Sequence, residues 1–272
     1  MTETRQAPEL LVEDRDDGVV LITLNRPRAR NTVSFAMWEQ FAAALDRLEH
    51  ATPPRAIVLC GAENHFSNGG DVKVGPSRGD GALALAARLE MGQRMVNRLR
   101  AFPAPVIAAI EGGAYGVGWS LAMACDILIA ADDARFGAPF LQFGLVPDGG
   151  SAWFLTQRIG RAKAAEIIFS GRTLDAAEAL SLGLLSRLVP AGTAVDAALA
   201  LASAIGDGNR HAVELTKRLL HHSETGDIAG SYALELAYCH ICQAGEEVPR
   251  AREKFTAQAA ARAAAKAAAR DS

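Results

Sequence analysis

The sequence predicts an α/β protein with a helical C-terminal module, and three observations carry that expectation. Short apolar runs alternate with helical patterns through the first two-thirds of the chain. Two of those runs, Ala56–Cys60 and Ala104–Ile110, lead into glycine-rich turns. From Thr193 onward almost everything fits a helical pattern. The expected division is an α/β core over residues 1–195 and a helical module over 196–272.

The elements follow in order. Leu10–Glu13 and Val19–Leu24, joined through Asp16-Asp17-Gly18, read as a β-hairpin. Ser34 stands where it can cap an amphipathic helix over Phe35–His50, with Phe41, Leu45 and Leu48 on one face. Ala56–Cys60 is a continuous apolar strand stopped by Gly61. A loop over Ala62–Gly81 and a helix over Ala82–Phe102 come next. Ala104–Ile110 is a buried strand; the chain then turns through Gly112, Gly113, Gly116 and Gly118 into Trp119–Ala124, which has helical composition. Asp126–Ala130 is a further strand, and beyond Arg135-Phe136-Gly137 helix starts are expected near Ser151, Arg161 and Thr173. The alanine-rich tail Ala257–Arg270 forms a helix by propensity with little to bury. No internal repeat or linker is evident.

With 272 residues, half of them hydrophobic, the chain can bury a large core. Its net charge of −3, without a basic stripe, argues against nucleic acid as the main partner. No apolar run is long enough to span a bilayer and Met1–Gln6 lacks a signal-peptide core, so no membrane partner and a cytoplasmic location are expected. Four cysteines are too few for a disulfide scaffold, and Cys60 and Cys125, closing apolar runs, read as buried thiols. Cys239-His240-Ile241-Cys242 has the spacing of a metal or redox motif but no second ligand pair. Within a helical stretch, two small apolar residues one turn apart explain it, and no metal is expected.

A strand, a glycine-rich turn and a helix start together present free backbone N–H groups at a positive helix end, suited to negative charge. The other turn, His65–Asp71, follows the strand ending at Cys60. If both strands share one sheet, their exits lie at the same end, where ligands gather in α/β proteins. One N–H from each turn then converges on a developing oxyanion. The alternative is two ordinary turns, with Asp71 a helix cap. A dinucleotide GxGxxG motif would need glycine in place of Leu121, and a Walker loop would need lysine followed by serine or threonine, which is absent. Gly118-Trp119-Ser120-Leu121-Ala122 approaches the GxSxG nucleophile elbow. Seven residues separate it from the strand end at Ile110, however, and it closes on alanine. For a serine hydrolase, Asp148, His211, His221 and His222 are available without matching context. Asp148 itself stands between Pro147 and Gly149-Gly150, just before a helix. It is either that helix's cap, or a carboxyl with a raised pKa amid Phe136, Phe140, Phe143, Leu145 and Val146, able to shuttle a proton.

Taken together, several segments resemble the crotonase (enoyl-CoA hydratase/isomerase) superfamily, over about residues 10–255. They are Asn25-Arg26-Pro27 with Asn31, Phe66–Asp71, Pro105–Ile110 with its glycine turn, Leu121–Asp126, Phe136-Gly137, Gly144–Pro147, and Ser170-Gly171-Arg172 with Ala177-Glu178-Ala179 and Gly183-Leu184. The resemblance implies a crotonase-like spiral of ββα units followed by a helical oligomerisation module, assembled as a homotrimer or hexamer. It implies an acyl-CoA thioester substrate whose carbonyl oxygen is held by the backbone N–H groups of Gly70 and Val117. The adenine end of coenzyme A is then expected near Arg28, Ala29 and Arg30, although Arg30 replaces a residue that is often apolar in the family. No cofactor is implied beyond the coenzyme A carried on the substrate.

Hydratases of this family place glutamates at the positions held here by Ser120 and Phe140. Adding water across a double bond uses a carboxylate base and an acid, so classical hydration is not expected. Asp148 occupies the position where several isomerases of the superfamily carry an acid. The resemblance thus implies an enoyl-CoA isomerase that converts a 3-enoyl-CoA to the 2-enoyl-CoA, or acts on a related ring-opened acyl-CoA, in fatty-acid or aromatic-acid metabolism. The alternatives are another crotonase reaction (dehalogenation, C–C bond chemistry or hydration) and a non-catalytic acyl-CoA-binding subunit. Leu83, Leu85, Leu89, Trp119, Phe140 and Phe143 either line the acyl pocket or belong to the core.

Overall fold

A computed structural model describes residues 7–82, 84–205 and 209–268. One compact unit runs to Ile205 and a second follows it. The first begins with strands β1 (Leu10–Asp14) and β2 (Val19–Leu24), an antiparallel hairpin with Leu10 opposite Leu24. Helix α1 (Phe35–His50) starts where the Ser34 hydroxyl oxygen accepts the Met37 N–H at 3.0 Å. It buries Met37, Trp38, Phe41, Leu45 and Leu48. β3 (Ala56–Gly61) leads through a long loop and a 3-10 turn, Ala84–Ala86, into α2 (Ala87–Ala101), which starts later than the pattern suggested.

After β4 (Val106–Ile110) the glycine-rich segment is more than a turn. Gly113–Tyr115 forms a short strand, β5, before α3 (Val117–Met123). β6 (Ile127–Ala131) and β7 (Arg135–Gly137) precede α4 (Ser151–Ser170), which kinks at Gly160, where φ is 75° and ψ 159°. The two helix starts expected at Ser151 and Arg161 are its two halves. Thr173, by contrast, opens a strand, β8 (Thr173–Asp175). The helix begins only at α5 (Ala176–Ser181), capped by Asp175, which accepts the Glu178 N–H at 2.8 Å. β9 (Arg187–Val189) and α6 (Ala194–Ala204) complete the unit.

The larger sheet has the order β1-β2-β3-β4-β6-β9, parallel apart from β1, and the smaller one the order β5-β7-β8. Two successive circuits of the chain lay one strand in the larger sheet and then a shorter one in the smaller: β4 then β5, β6 then β7. The path repeats although the residues do not. Ile57 and Leu59 pack into the core beside Phe41 and Leu45, while Ala56, Val58 and Cys60 pack with Ala194, Ala198 and Ala202 of α6. Both sheet faces are therefore covered, which is why these strands read as unbroken apolar runs. The sequence reading divides the chain after residue 195; α6 lies on the sheet, and the first unit extends to Ile205. Cys60 and Cys125 are buried thiols, as expected.

The second unit is helical: α7 (Arg210–Ser223), α8 (Ile228–Ala244) and α9 (Glu247–Ala268). Asp227 caps α8 by accepting the Gly230 N–H at 2.7 Å. Leu220, Tyr232, Leu236 and Phe255 are exposed on these helices. Cys239 and Cys242 both lie on α8, the first exposed and the second half-buried. Among the described residues no helix is long and apolar enough to cross a membrane.

Asn31 ties the exits of β2 and β3 together. Fully buried with φ at +52°, it accepts the Arg26 N–H at 2.9 Å through Oδ1. Its Nδ2 donates to the carbonyls of Ala62 (3.0 Å) and His65 (2.6 Å), and its own carbonyl accepts the Ser67 hydroxyl at 2.8 Å. Removing the side chain leaves buried peptide groups unpaired. Asn31→Ala is expected to destabilise the protein by about 2–4 kcal/mol in urea denaturation. A change below about 0.5 kcal/mol, the size of an ordinary surface substitution, would contradict that role.

Candidate active site

β3 and β4 are parallel neighbours, with Ile57 opposite Val106 and Leu59 opposite Ala108, so both glycine turns leave the same edge of the sheet. The turns then pair backbone to backbone. The Ser67 N–H donates to Gly113 O at 3.1 Å and the Tyr115 N–H to Ser67 O at 2.9 Å. Glycine is required where they touch. A Cβ on Gly69, whose φ is +89°, would lie 2.7 Å from Tyr115 O and 3.4 Å from Val117 N. One on Gly118 would lie 2.6 Å from the Ser67 hydroxyl oxygen.

On its other side the first turn pairs with Val33, whose N–H donates to Gly69 O at 2.8 Å and whose carbonyl accepts the Asp71 N–H at 3.1 Å. By the alternation of a strand, the intervening Gly70 N–H faces away from Val33. Val117 is the first residue of α3, so its N–H has no partner within the helix. Among the described residues neither N–H donates to a protein acceptor, and both residues line one cavity of about 370 Å³. Asp71 is no helix cap. Its Oδ2 pairs with Arg26 Nη2 at 2.9 Å and its Oδ1 accepts the Lys73 N–H at 3.1 Å.

Asp148 lines the same cavity, and the structure separates its two readings. The cap of α4 is Gly150, with no side-chain bond, and Asp148 Oδ1 is buried without a hydrogen-bond partner. Only the Asp148 carbonyl serves the local fold, accepting the Ser151 N–H at 3.0 Å and the Ser120 hydroxyl at 2.9 Å. Burial pushes the carboxyl up to about 6, against the opposing attraction of the Arg88 guanidinium. Ser120 is fully buried and sits inside α3 rather than at its turn. The hydroxyl donates to the carbonyls of Gly116 and Asp148. That is not the arrangement of a nucleophile elbow. Glycine is required at position 149, where a Cβ would lie 2.8 Å from Ser120 Cβ.

The cavity walls are apolar apart from Arg88 and Asp148, the only ionisable side chains among the described lining residues. Leu85, Leu89 and Phe143 contribute to them, as do Val72, Val74 and Val146. Trp119 and Phe140 are core residues, Trp119 packed on Phe136 with ring centroids 5.9 Å apart. Leu83 lies outside the described residues. Arg28, Ala29 and Arg30 are not in the cavity wall. They form a 3-10 turn and its exit, tied to the first glycine turn by the Asn68 N–H on Arg30 O at 2.9 Å. Arg88 was not singled out in the sequence, where an arginine within a helical stretch reads as solvated surface.

Asp148 has a consequence for stability. Its carboxyl titrates near 3.8 when unfolded and near 6 when folded, so folding favours the neutral form. That contribution is complete only well below 3.8 and is lost as pH rises from there through 6. Asp148→Asn removes the cost of burying the charge. The variant is expected to be more stable than wild type by about 2–3 kcal/mol above pH 7, and about equally stable at pH 3, in denaturant titrations. An equal difference at both pH values would contradict the raised pKa.

Residues 14–259 match the model of the enoyl-CoA hydratase/isomerase family. A Mycobacterium tuberculosis protein named as a probable enoyl-CoA hydratase is 35% identical over 239 residues, 88% of this chain and 91% of its own length. The 2,3-dehydroadipyl-CoA hydratase of Escherichia coli is 31% identical over 238 residues, covering 87% and 91%. Among solved structures, an enoyl-CoA hydratase from Bacillus anthracis superimposes with a TM-score of 0.86 at 28% identity, over 92% of this chain and 96% of that one. The paired glycine turns, the sheet order and these matches agree: the chain belongs to the enoyl-CoA hydratase/isomerase family and has the crotonase fold.

Proposed function

We propose that this protein is an acyl-CoA isomerase that converts a 3-enoyl thioester to the conjugated 2-enoyl thioester, with Asp148 as its single proton shuttle. The observation that carries this reading is a cavity with one carboxylate, buried and unpartnered, facing the same space as two unengaged N–H donors. The Asp148 carboxylate takes a proton from C2. The C–H electron pair moves into the C1–C2 bond, and negative charge develops on the thioester oxygen, held by the Gly70 and Val117 N–H groups. Asp148 then returns the proton at C4, leaving the C2–C3 double bond and an ionised carboxylate. A pKa near 6 suits both halves, since the group is ionised at neutral pH yet more basic than an exposed aspartate.

Isomerisation returns the proton it removes, so one carboxylate is enough, and the chemistry calls for no metal or redox group. Hydration in the family manner uses two acid–base groups. Here the Ser120 hydroxyl donates to the Asp148 carbonyl and Phe140 has nothing to donate. The apolar walls suit a hydrocarbon acyl group, and Arg28, Ala29 and Arg30, beside the first glycine turn, are assigned to the adenine end of coenzyme A. The exposed Leu220, Tyr232, Leu236 and Phe255 suit burial between copies, in a homotrimer or hexamer. The hydratase names of the relatives favour one second reading, hydration with Asp148 as sole acid–base group.

The test is incubation with 3-enoyl-CoA, followed by absorbance of the conjugated thioester, beside hydration of 2-enoyl-CoA. Wild type is expected to isomerise, with an acid limb near pH 6 set by ionisation of Asp148. Asp148→Asn is expected to lose roughly 10²–10⁴-fold in rate. Equal activity of the two proteins overturns the role of Asp148. Hydration without isomerisation selects the second reading.

A further inference from the structure

Arg88, on the first turn of α2, is half-buried in the cavity wall and has no part in the mechanism above. Its Nη1 donates to the carbonyls of Asp71 (2.6 Å) and Val74 (2.7 Å), which fixes the plane of the guanidinium. The other edge is open: among the described residues Nη2 and Nε have no hydrogen-bond partner. This edge adjoins the first oxyanion donor, because a Cβ on Gly70 would lie 3.5 Å from Nη2. It shares the cavity wall with Asp148, and the attraction between the two charges opposes the burial shift of each, with no hydrogen bond between them. The Asp71 carboxylate, the other acid near Arg88, is already paired with Arg26 at 2.9 Å. Ser120 and Ser151, which flank Asp148 from α3 and α4, are uncharged. Among the described residues the cavity therefore holds one cation and one anion in otherwise apolar walls.

We propose that Arg88 is the counter-charge of the reaction, stabilising negative charge on Asp148 before proton transfer and on the substrate oxygen after it. The inference rests on the reading of Asp148 as proton shuttle. In that step one negative charge leaves the carboxylate and appears on the thioester oxygen at Gly70, while the proton moves from C2 to Asp148. Neutral N–H donors offer only partial charges, and in apolar surroundings an unbalanced ion is costly at either place. A cation beside both keeps the cavity close to neutral throughout and needs no rearrangement as the charge moves. Arginine fits this better than lysine, because one edge of the fork can be anchored while the other stays free.

The experiment follows the carboxyl of Asp148 directly, by 13C NMR titration of protein labelled at aspartate carboxyls, with Asp148→Asn assigning the resonance. Wild type is expected to titrate near 6. In Arg88→Met the midpoint is expected to rise by about one pH unit, with 3-enoyl-CoA isomerisation roughly 10–100-fold slower. Arg88→Lys, which keeps the charge, is expected to titrate within a few tenths of wild type, roughly the spread left by a conserved charge. An unchanged midpoint in Arg88→Met overturns the proposal whatever its turnover, since a loosened 71–74 loop slows turnover without moving the titration. Wild-type turnover in Asp148→Asn overturns the shuttle reading, and with it the enolate half of this role. The titration still decides the Arg88–Asp148 coupling by itself.

Discussion

The rest of the site depends on the backbone pairing of two turns that leave adjacent parallel strands. Ser67 and Ala114 form that contact, and it exists because β3 and β4 lie side by side in register. Once Gly69 and Gly118 bring the chains within reach, each N–H and carbonyl has a defined direction. The Gly69 carbonyl and the Asp71 N–H are taken by Val33, and the Gly113 carbonyl and the Tyr115 N–H by Ser67. Gly70 is left with a free donor on the cavity side because the hydrogen bonds around it alternate away from it, and Val117 because it opens α3. Any side chain at the crossing would push the turns apart and scatter those directions. Asn31, clasping the carbonyls of Ala62 and His65, holds the first turn from behind.

Against this frame Asp148 is held by its backbone and left free at its side chain. Ser151 and Ser120 both bond its carbonyl, while the carboxyl faces the cavity with one oxygen unpartnered. Burial raises its pKa and Arg88 restrains the rise, a balance that leaves a base usable at neutral pH. Ser120 links the two halves of the site. It packs against Gly149, and its hydroxyl fixes the segment that carries Asp148. Ser120 is thus part of the support for Asp148.

Much of the fold was legible because it is written in local pattern. The hairpin of β1 and β2, the Ser34 cap of α1 and the apolar runs of β3, β4 and β6 each carry a signal several residues long. The three-residue strands β5, β7, β8 and β9 carry none, being too short for periodicity and defined only by their partners. Thr173 reads as a helix start because its neighbours Ala176–Ser181 are helical; pairing with β7 claims it for the sheet. Asp148 was legible as a candidate and ambiguous in role, since a cap and a proton shuttle share the same Pro-Asp-Gly-Gly surroundings. Arg88 was invisible, as nothing in its own stretch of sequence marks which face of α2 meets the cavity.

By itself the sequence determined the class of fold and the two glycine turns. These follow from residue identity and short-range periodicity, which need no knowledge of neighbours in space. The tertiary structure alone decided that the Gly70 and Val117 donors share one cavity with Asp148, that Gly150 rather than Asp148 caps α4, and that Arg88 is the cavity's one cation among the described residues. Those facts depend on contacts across about thirty to eighty residues of chain, and only packing of the sheet edge, α2 and the segment before α4 brings them together.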